Sequence, residues 1–277
     1  MRVSIITPSF RNSNWLKLCI PSVADQGVGL EHLVQDSCSD DGTQDWLPKD
    51  ARVKAFIEKD AGMYDAVNRG LRRATGDICA YLNCDEQYLP GALSAVLEFF
   101  DHHPGVDVLF ADAVIVGPAG EYLCHRKATV PGKYHSWVSG DLAILTCSTF
   151  FRRRVIEQQE LFFNPKLKDI GDGDWVMRLL DHEVPMAVLR RFTSAFTETG
   201  FNMNTKPNAI REKKELLDSA PAWARTSRSL ILWHYRLRKL LAGCYRQKPF
   251  RYEIYTESSP SARVSFQAQY PTTRWRR

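Results

Sequence analysis

Glu58 to Glu86, EKDAGMYDAVNRGLRRATGDICAYLNCDE, is the stretch from which the rest of the chain is read. Met63, Ala66, Val67, Leu71 and Ala74 recur at helical spacing and predict a helix with one apolar face turned inward. Gly76-Asp77 reads as its stop, with glycine supplying the positive φ on which helices commonly end. Ile78 to Leu82 is a short apolar run, the pattern of a strand buried on both faces of a parallel sheet. Asn83, Asp85 and Glu86 emerge where that strand ends. In open α/β sheets ligands bind outside the carboxyl ends of the strands, so a site is expected there. Hard oxygen ligands so placed can hold a divalent cation that bridges phosphates. Standing alone, the same residues read equally well as a solvated acidic turn.

Upstream, Val3 to Thr7 predicts a first strand, ended by Pro8, which cannot donate to a central ladder. Asn12 or Ser13 caps a helix carrying Trp15, Leu16, Leu18, Cys19, Ile20 and Val23, and Leu33 to Gln35 is a second strand. Asp36-Ser37-Cys38-Ser39-Asp40-Asp41-Gly42-Thr43 follows, dense in turn formers and helix caps. Val53 to Ile57 is a third strand. Downstream come a helix after Leu89-Pro90-Gly91, a long strand from Asp107 to Val116, a loop-like stretch from Tyr122 to Trp137, and a strand from Cys147 to Arg153. Asp169, Asp172 and Asp174 then precede the apolar helix containing Trp175, Val176 and Leu179, a pattern that fits either a helix cap or a site.

The run D-x-G-M-Y-D-A-V-N-x-G, followed by a helix, Gly-Asp, an apolar strand and N-x-D-E, resembles the GT-A glycosyltransferases of family 2. Three further landmarks fall in the family's order over about residues 2–200: Thr7-Pro8-Ser9-Phe10, the D-x-x-S-x-D-G-T run from Asp36, and D-x-D-W-V-x-R-L from Asp172. The resemblance implies a Rossmann-like, mainly parallel sheet flanked by helices, and an inverting, metal-dependent transferase of hexosyl or N-acetylhexosaminyl type. Its donor would be a nucleoside-diphosphate sugar, most naturally a UDP-sugar, and its acceptor a saccharide or lipid-linked saccharide in bacterial polysaccharide or glycoconjugate synthesis. Carried over by position, Thr7, Pro8 and Asp36 line the nucleoside pocket, Asp60 walls the donor site, and Asn83 and Asp85 stand in the DxD segment. Asp85 is the expected ligand of Mn²⁺ or Mg²⁺, and Asp172 the expected general base. Asp65, Asn68, Glu86 and Asp174 are supporting residues. Asn83 occupies the first acidic position of that segment, and Gly171 stands where many members carry an acid. A nucleotidyltransferase, an alternative on a similar sheet, would want a Gly-rich basic phosphate loop where this chain has Thr7 to Asn12.

Composition agrees with a globular protein: 44% hydrophobic and 25% charged residues argue against general disorder. No apolar run approaches the roughly 18 residues of a membrane helix, and the N-terminus lacks a signal-peptide pattern. The seven cysteines are scattered without C-x-x-C spacing, which points to reduced thiols in a cytoplasmic protein.

Charge divides the chain. Sixteen Lys and Arg face five Asp and Glu from Thr205 onward, leaving 21 against 27 in residues 1–204. Residues 1–204 are therefore read as the catalytic domain, 205–247 as a basic helical extension, and 248–277 as a tail rich in Pro, Ser, Gln and Arg whose order is in doubt. Asn202 to Pro207 reads as the linker. Within the extension, Ser229 to Leu241 pairs apolar residues with Arg236, Arg238 and Lys239. Such a helix either lies on an anionic membrane surface, making the protein peripheral on the inner face of the plasma membrane, or packs on the domain with its charges outward. The aromatics and arginines of this region could also contact nucleic acid, but no nucleic-acid module is recognisable, and none is expected as a partner.

Overall fold

The computed structural model describes residues 1–139, 143–200 and 207–275. In chain order the strands are β1 (Val3–Ser9), β2 (Leu30–Asp36), β3 (Lys54–Ile57), β4 (Ile78–Tyr81), β5 (Glu86–Tyr88) and β6 (Val108–Val116). β7 (Tyr122–Arg126), β8 (Thr149–Arg152) and β9 (Met186–Thr197) complete one sheet, and β10 (Phe250–Thr256) and β11 (Ser259–Ala268) form a hairpin. The longer helices are α1 (Ser13–Ala24), then, after the single turn α2 (Thr43–Trp46), α3 (Met63–Arg73) and α4 (Ala92–His102). α5 (Lys133–Ser139), α6 (Arg154–Glu157) and α7 (Gly171–Asp181) follow, and the extension carries α8 (Pro207–Asp218), α9 (Ala222–Thr226) and α10 (Arg228–Leu241).

The large sheet has the order β3-β2-β1-β4-β8-β6-β9-β5, with β7 also on β6. β1 to β4 run parallel, as do β6 and β9, while β5, β7 and β8 run against their neighbours. Alternation along the strands sorts the core into two layers. Ile6, Leu33 and Phe151 face α3 and α7, whereas Val3, Ile5, Ile78, Ala80 and Leu109 face α1 and α4. The parallel strands thus end together on one edge, which is where the motif residues lie.

Several local expectations need correction. β1 runs through Pro8 to Ser9. Ile6 O accepts from Leu82 N and Ser9 O from Ser37 N, so Pro8, two residues after Ile6, turns its missing donor toward β4, whose pairing has already stopped at Tyr81. Gly76 has no positive φ. It is needed because a Cβ there would lie 2.7 Å from Ser4 N, where the loop crosses β1. Tyr122 to Trp137 is not an irregular loop, since it forms β7 and α5.

The expected loose tail after Lys248 instead carries the β10–β11 hairpin over residues 250–268. Phe250, Tyr252 and Ile254 alternate on one hairpin face, and Tyr252 and Ile254 pack on Val114, Val116 and Ala195. Gln87 bonds both the N–H and the C=O of Tyr255, each at 2.8 Å, and Arg263 pairs with Asp25 at 2.6 Å. The period-two alternation was masked in sequence by the Ser, Gln and Arg of the outer face. The expected linker was Asn202 to Pro207; its residues 202–206 and the expected boundary at residue 204 lie outside the described residues, and Pro207 is the first residue of α8.

Three tertiary ties, two from α3 and one from α8, position α7. Tyr64 of α3 lies flat against Gly171, whose added Cβ would fall 2.5 Å from the Tyr64 ring. Asn68, nearly fully buried, donates to Phe163 O at 2.7 Å and accepts from Phe163 N at 2.9 Å. From the other side, the buried Glu212 carboxylate of α8 accepts the backbone N–H groups of Lys168, Asp169 and Ile170 at 3.1, 3.2 and 3.0 Å. These bonds hold its carboxyl below the ordinary range against the opposing effect of burial.

Gly171→Ala should destabilise the protein. Overpacking against Tyr64 costs about 1–3 kcal/mol, more than the roughly 1 kcal/mol that alanine gains over glycine in a helix. Denaturant unfolding checks it, and a neutral or stabilising result would mean Tyr64 is free to move. Glu212→Ala should cost roughly 1–3 kcal/mol or more, because three N–H groups lose their acceptor. Hydrogen exchange should then rise at residues 168–170.

Candidate active site

The first three parallel strands bring their loops together. Asp36, fully buried at the end of β2, accepts from Ser39 N at 2.8 Å and Ser39 Oγ at 2.7 Å, so its carboxylate is spent on folding its own loop. Thr7 is likewise buried, its Oγ1 2.8 Å from His32 Nε2, and Pro8 lies inside the sheet edge. All three residues are thus buried within the sheet edge rather than exposed on it. Asp41 bridges loops, accepting from Ser13 N at 2.9 Å and Thr43 Oγ1 at 2.6 Å, and so caps α1 in place of Asn12. Asp60 N donates to Ser37 Oγ at 3.3 Å, tying the loop after β3 to the loop after β2. The Asp60 carboxylate is half-buried, caps Gly62 N at 2.9 Å, and has its pKa raised by burial. Asp65 accepts from Ala61 N at 3.0 Å and pairs with Arg69 at 2.9 Å, which makes it part of the α3 start.

At the end of β4 the chain turns back within four residues. Glu86 N donates to Asn83 O at 3.0 Å, and Glu86 Oε2 accepts from Asn83 N at 2.8 Å. This closed turn presents Asp85 at the edge, partly exposed. Glu86 is buried, and its Oε1 has no hydrogen-bond partner. Burial raises the carboxyl pKa of both residues; Asp85 adds to the rise at Glu86, and Glu198 adds to that at Asp85. A paired carboxylate cluster with a buried, unpartnered oxygen is the donor chemistry that a hard divalent cation suits. Among the described residues, no three His, Cys, Asp or Glu side chains gather as a complete metal site.

Asp172 sits in the first turn of α7, which begins at Gly171 and so includes both acids of the D-x-D pair. Its backbone N–H donates to Tyr64 Oη at 3.2 Å, and its Oδ1 accepts from Gly173 N at 2.9 Å. Tyr64 also lies on Phe163 (centroids 5.7 Å), which in turn stacks on Trp175 at 4.9 Å and meets Tyr81 edge-on at 5.2 Å. These rings leave only a water-sized cavity of about 10 Å³ beside the carboxylate. Burial raises the pKa of Asp172 to about 6, against the backbone N–H of Gly173, the Tyr64 hydroxyl and the more distant Lys213. Tyr81, the last residue of β4, is raised by burial and then by Asp172 and Glu86, so its phenol senses both carboxylate groups. Asp174 pairs with Arg178 at 2.9 Å, and Arg178 also donates to Phe162 O at 2.7 Å.

The structure thus sets Asp85 and Glu86 in the turn after β4 and Asp172 on a cavity that Tyr81, the last residue of β4, also lines, whereas Asp65, Asn68 and Asp174 serve neighbouring backbone and arginines. Tyr64, Tyr81, Glu198 and Glu212 were not singled out from sequence. Tyr64 stood in the quoted motif and was readable as core. Nothing local marks Glu198 or Glu212, whose partners are remote in the chain.

TuaG, a Bacillus subtilis glycosyltransferase named for teichuronic acid biosynthesis, is 35% identical over 103 residues, 35% of this chain and 41% of TuaG. A Campylobacter jejuni GalNAc(5)-diNAcBac-PP-undecaprenol beta-1,3-glucosyltransferase is 32% identical over 104 residues, 35% of this chain and 34% of that protein. The chain thus spans less than half the length of these curated relatives. Among solved structures, residues 1–349 of S. aureus TarS in complex with UDP-GlcNAc superpose with a TM-score of 0.63 at 18% identity, over 87% of this chain and 73% of that fragment. The mannosyltransferase PcManGT from Pyrobaculum calidifontis, in complex with GDP-Man and Mn²⁺, gives 0.54 at 16% identity, over 87% and 78%. Both likenesses concern the GT-A fold. The sequence pattern of glycosyl transferase family 2 matches residues 4–160, more than half the chain, and the protein belongs to that family.

Proposed function

We propose that the protein is an inverting, metal-dependent glycosyltransferase that moves a hexosyl or N-acetylhexosaminyl group from a UDP-sugar to a saccharide or lipid-linked saccharide on the cytoplasmic side of a bacterial membrane. The observation that carries this reading is the setting of two carboxylate groups by the end of β4: Asp85 and Glu86 lie in the turn that follows it, and Asp172 lies on the cavity that its last residue, Tyr81, lines. TarS with UDP-GlcNAc supports the donor class, and the undecaprenol-linked acceptor in the Campylobacter relative's name supports the acceptor class.

In this mechanism the nucleoside rests over the Ser37–Asp41 loop and Asp60, with Asp36 holding that loop from beneath and Thr7 and Pro8 forming the floor. Asp85, at the tip of its closed turn, would hold Mn²⁺ or Mg²⁺, braced by Glu86 and Asn83. When bound, such a cation would supply positive charge to the departing diphosphate. Asp172 accepts the proton of the acceptor hydroxyl. The freed oxygen attacks the anomeric carbon as the bond to phosphate breaks on the opposite face, releasing the nucleoside diphosphate. A base with a pKa near 6 is ionised at neutral pH yet basic enough to take that proton.

Thermal stabilisation should be larger with UDP and Mn²⁺ together than with either alone, or with GDP or dTDP. Asp85→Ala should remove the Mn²⁺-dependent part of UDP affinity while the metal-free melting temperature stays close to wild type. Unchanged Mn²⁺ dependence would place the cation elsewhere.

Asp172→Asn should lower transfer by roughly 10²–10⁴ and leave UDP affinity intact. In wild type, transfer should fall as pH drops through about 6, where Asp172 takes up its proton. Stability should move the other way. A carboxyl pKa raised from 3.8 to about 6 favours the folded state most below 3.8 and loses that contribution as pH rises through 6. Asp172→Asn should therefore melt higher than wild type at pH 7.5 and show little difference at pH 4. A variant that is inactive but no more stable at pH 7.5 would show that Asp172 is not desolvated in the folded enzyme.

A further inference from the structure

α10 carries its apolar face outward. None of its 14 residues is fully buried. Leu230, Trp233, Leu240 and Leu241 are 65%, 61%, 54% and 79% exposed, and with Leu237 they fall at i, i+3, i+7, i+10 and i+11, a single stripe. The opposite side of the helix faces the protein. There the Tyr235 ring stacks on His135 at 3.4 Å, and the Lys239 ammonium lies over Tyr235 and Tyr245 at 5.7 and 5.5 Å. Lys239 is thus turned toward the domain, while Arg228, Arg236 and Arg238 are exposed.

Charge identifies what covers the stripe. From Ser219 to Tyr252 there are eight Lys and Arg and no Asp or Glu. A second copy seated on the same face would set these charges against themselves. An apolar stripe flanked by arginines instead matches the boundary between acyl chains and anionic headgroups. The helix is too short and too charged to cross, and no helix among the described residues qualifies as a span. Its position also fits delivery of an acceptor. α10 packs on α5, and α5 packs on α7, the helix of Asp172, with Lys133 bonded to Asp181 at 2.5 Å.

We propose that the Leu230–Trp233–Leu237–Leu240–Leu241 stripe beds in the plane of an anionic lipid surface, with Arg228, Arg236 and Arg238 on headgroup phosphates, so that a lipid-anchored acceptor meets Asp172 from the membrane side. The lipid contact stands on the geometry of α10; the acceptor's route rests on the glycosyltransferase reading above.

The test is co-sedimentation of the full chain with phosphatidylglycerol–phosphatidylethanolamine vesicles and with phosphatidylcholine vesicles. Binding should favour the anionic vesicles and decline with added salt. Leu230→Ser/Trp233→Ser/Leu241→Ser should weaken it by on the order of tenfold or more. Arg228→Gln/Arg236→Gln/Arg238→Gln should erase the preference for anionic lipid. Tryptophan emission should shift to the blue on binding, and less so in the stripe variant. No sedimentation of the intact protein, or equal binding by the stripe variant, would overturn the proposal. So would a concentration-dependent dimer that the stripe variant abolishes without any vesicle binding. UDP stabilisation measured on the same proteins separates the two readings: vesicle binding without any UDP effect would support the docking surface and contradict the donor assignment.

Discussion

The contact between the Tyr64 ring and the bare backbone of Gly171 is the constraint from which the site follows. α3 begins directly after the loop at Asp60 to Gly62, and α7 carries Asp172. Pressing the ring onto a residue without a Cβ brings the two helices close enough for Tyr64 Oη to take the N–H of Asp172. The reciprocal amide bonds between Asn68 and Phe163 keep α3 from sliding past the segment before α7. Glycine at 171 thus has a steric cause: the position is helical, and it is the approach of an aromatic ring that excludes a side chain there.

Electrostatics sets the cost of this arrangement. Asp172, Asp85 and Glu86 are all held where burial opposes their ionised forms. The protein resolves the opposite case elsewhere. Glu31, also buried, takes hydrogen bonds from Lys54, Ser4 and Thr75 that outweigh its burial and bring it down to about 2. Glu31, which fastens strands, is thus saturated, whereas Asp85, Glu86 and Asp172 are not. Perturbed groups gathered in this way are the physical signature of a working site.

Much of the fold was legible because the apolar pattern changes along the chain, from short continuous runs in the buried strands to a period of 3.6 in α3, α7 and α10. The edge of the site was legible for the same reason: Asn83 to Glu86 had to follow a buried strand. What local pattern could not supply was the long-range pairing. Glu212 meets residues 168–170 from more than 40 positions away, and Gln87 meets Tyr255 across 168 residues. Nor could it show that Asp36 is consumed by Ser39, since a carboxylate in a turn reads the same whether it faces a ligand or its own loop. The hairpin of β10 and β11 escaped because its apolar residues line only one face, and the polar face dominates the composition.

The central claim is that donor, cation and base share the edge at the end of β4. A crystal structure with UDP and Mn²⁺, with the metal located by its anomalous scattering, tests it most directly. The account predicts one strong manganese peak at the Asp85 carboxylate, with diphosphate oxygens completing its shell and Asp172 facing the open side where a sugar would project. A peak away from Asp85, or a nucleotide seated where Asp172 cannot reach its sugar, would contradict it.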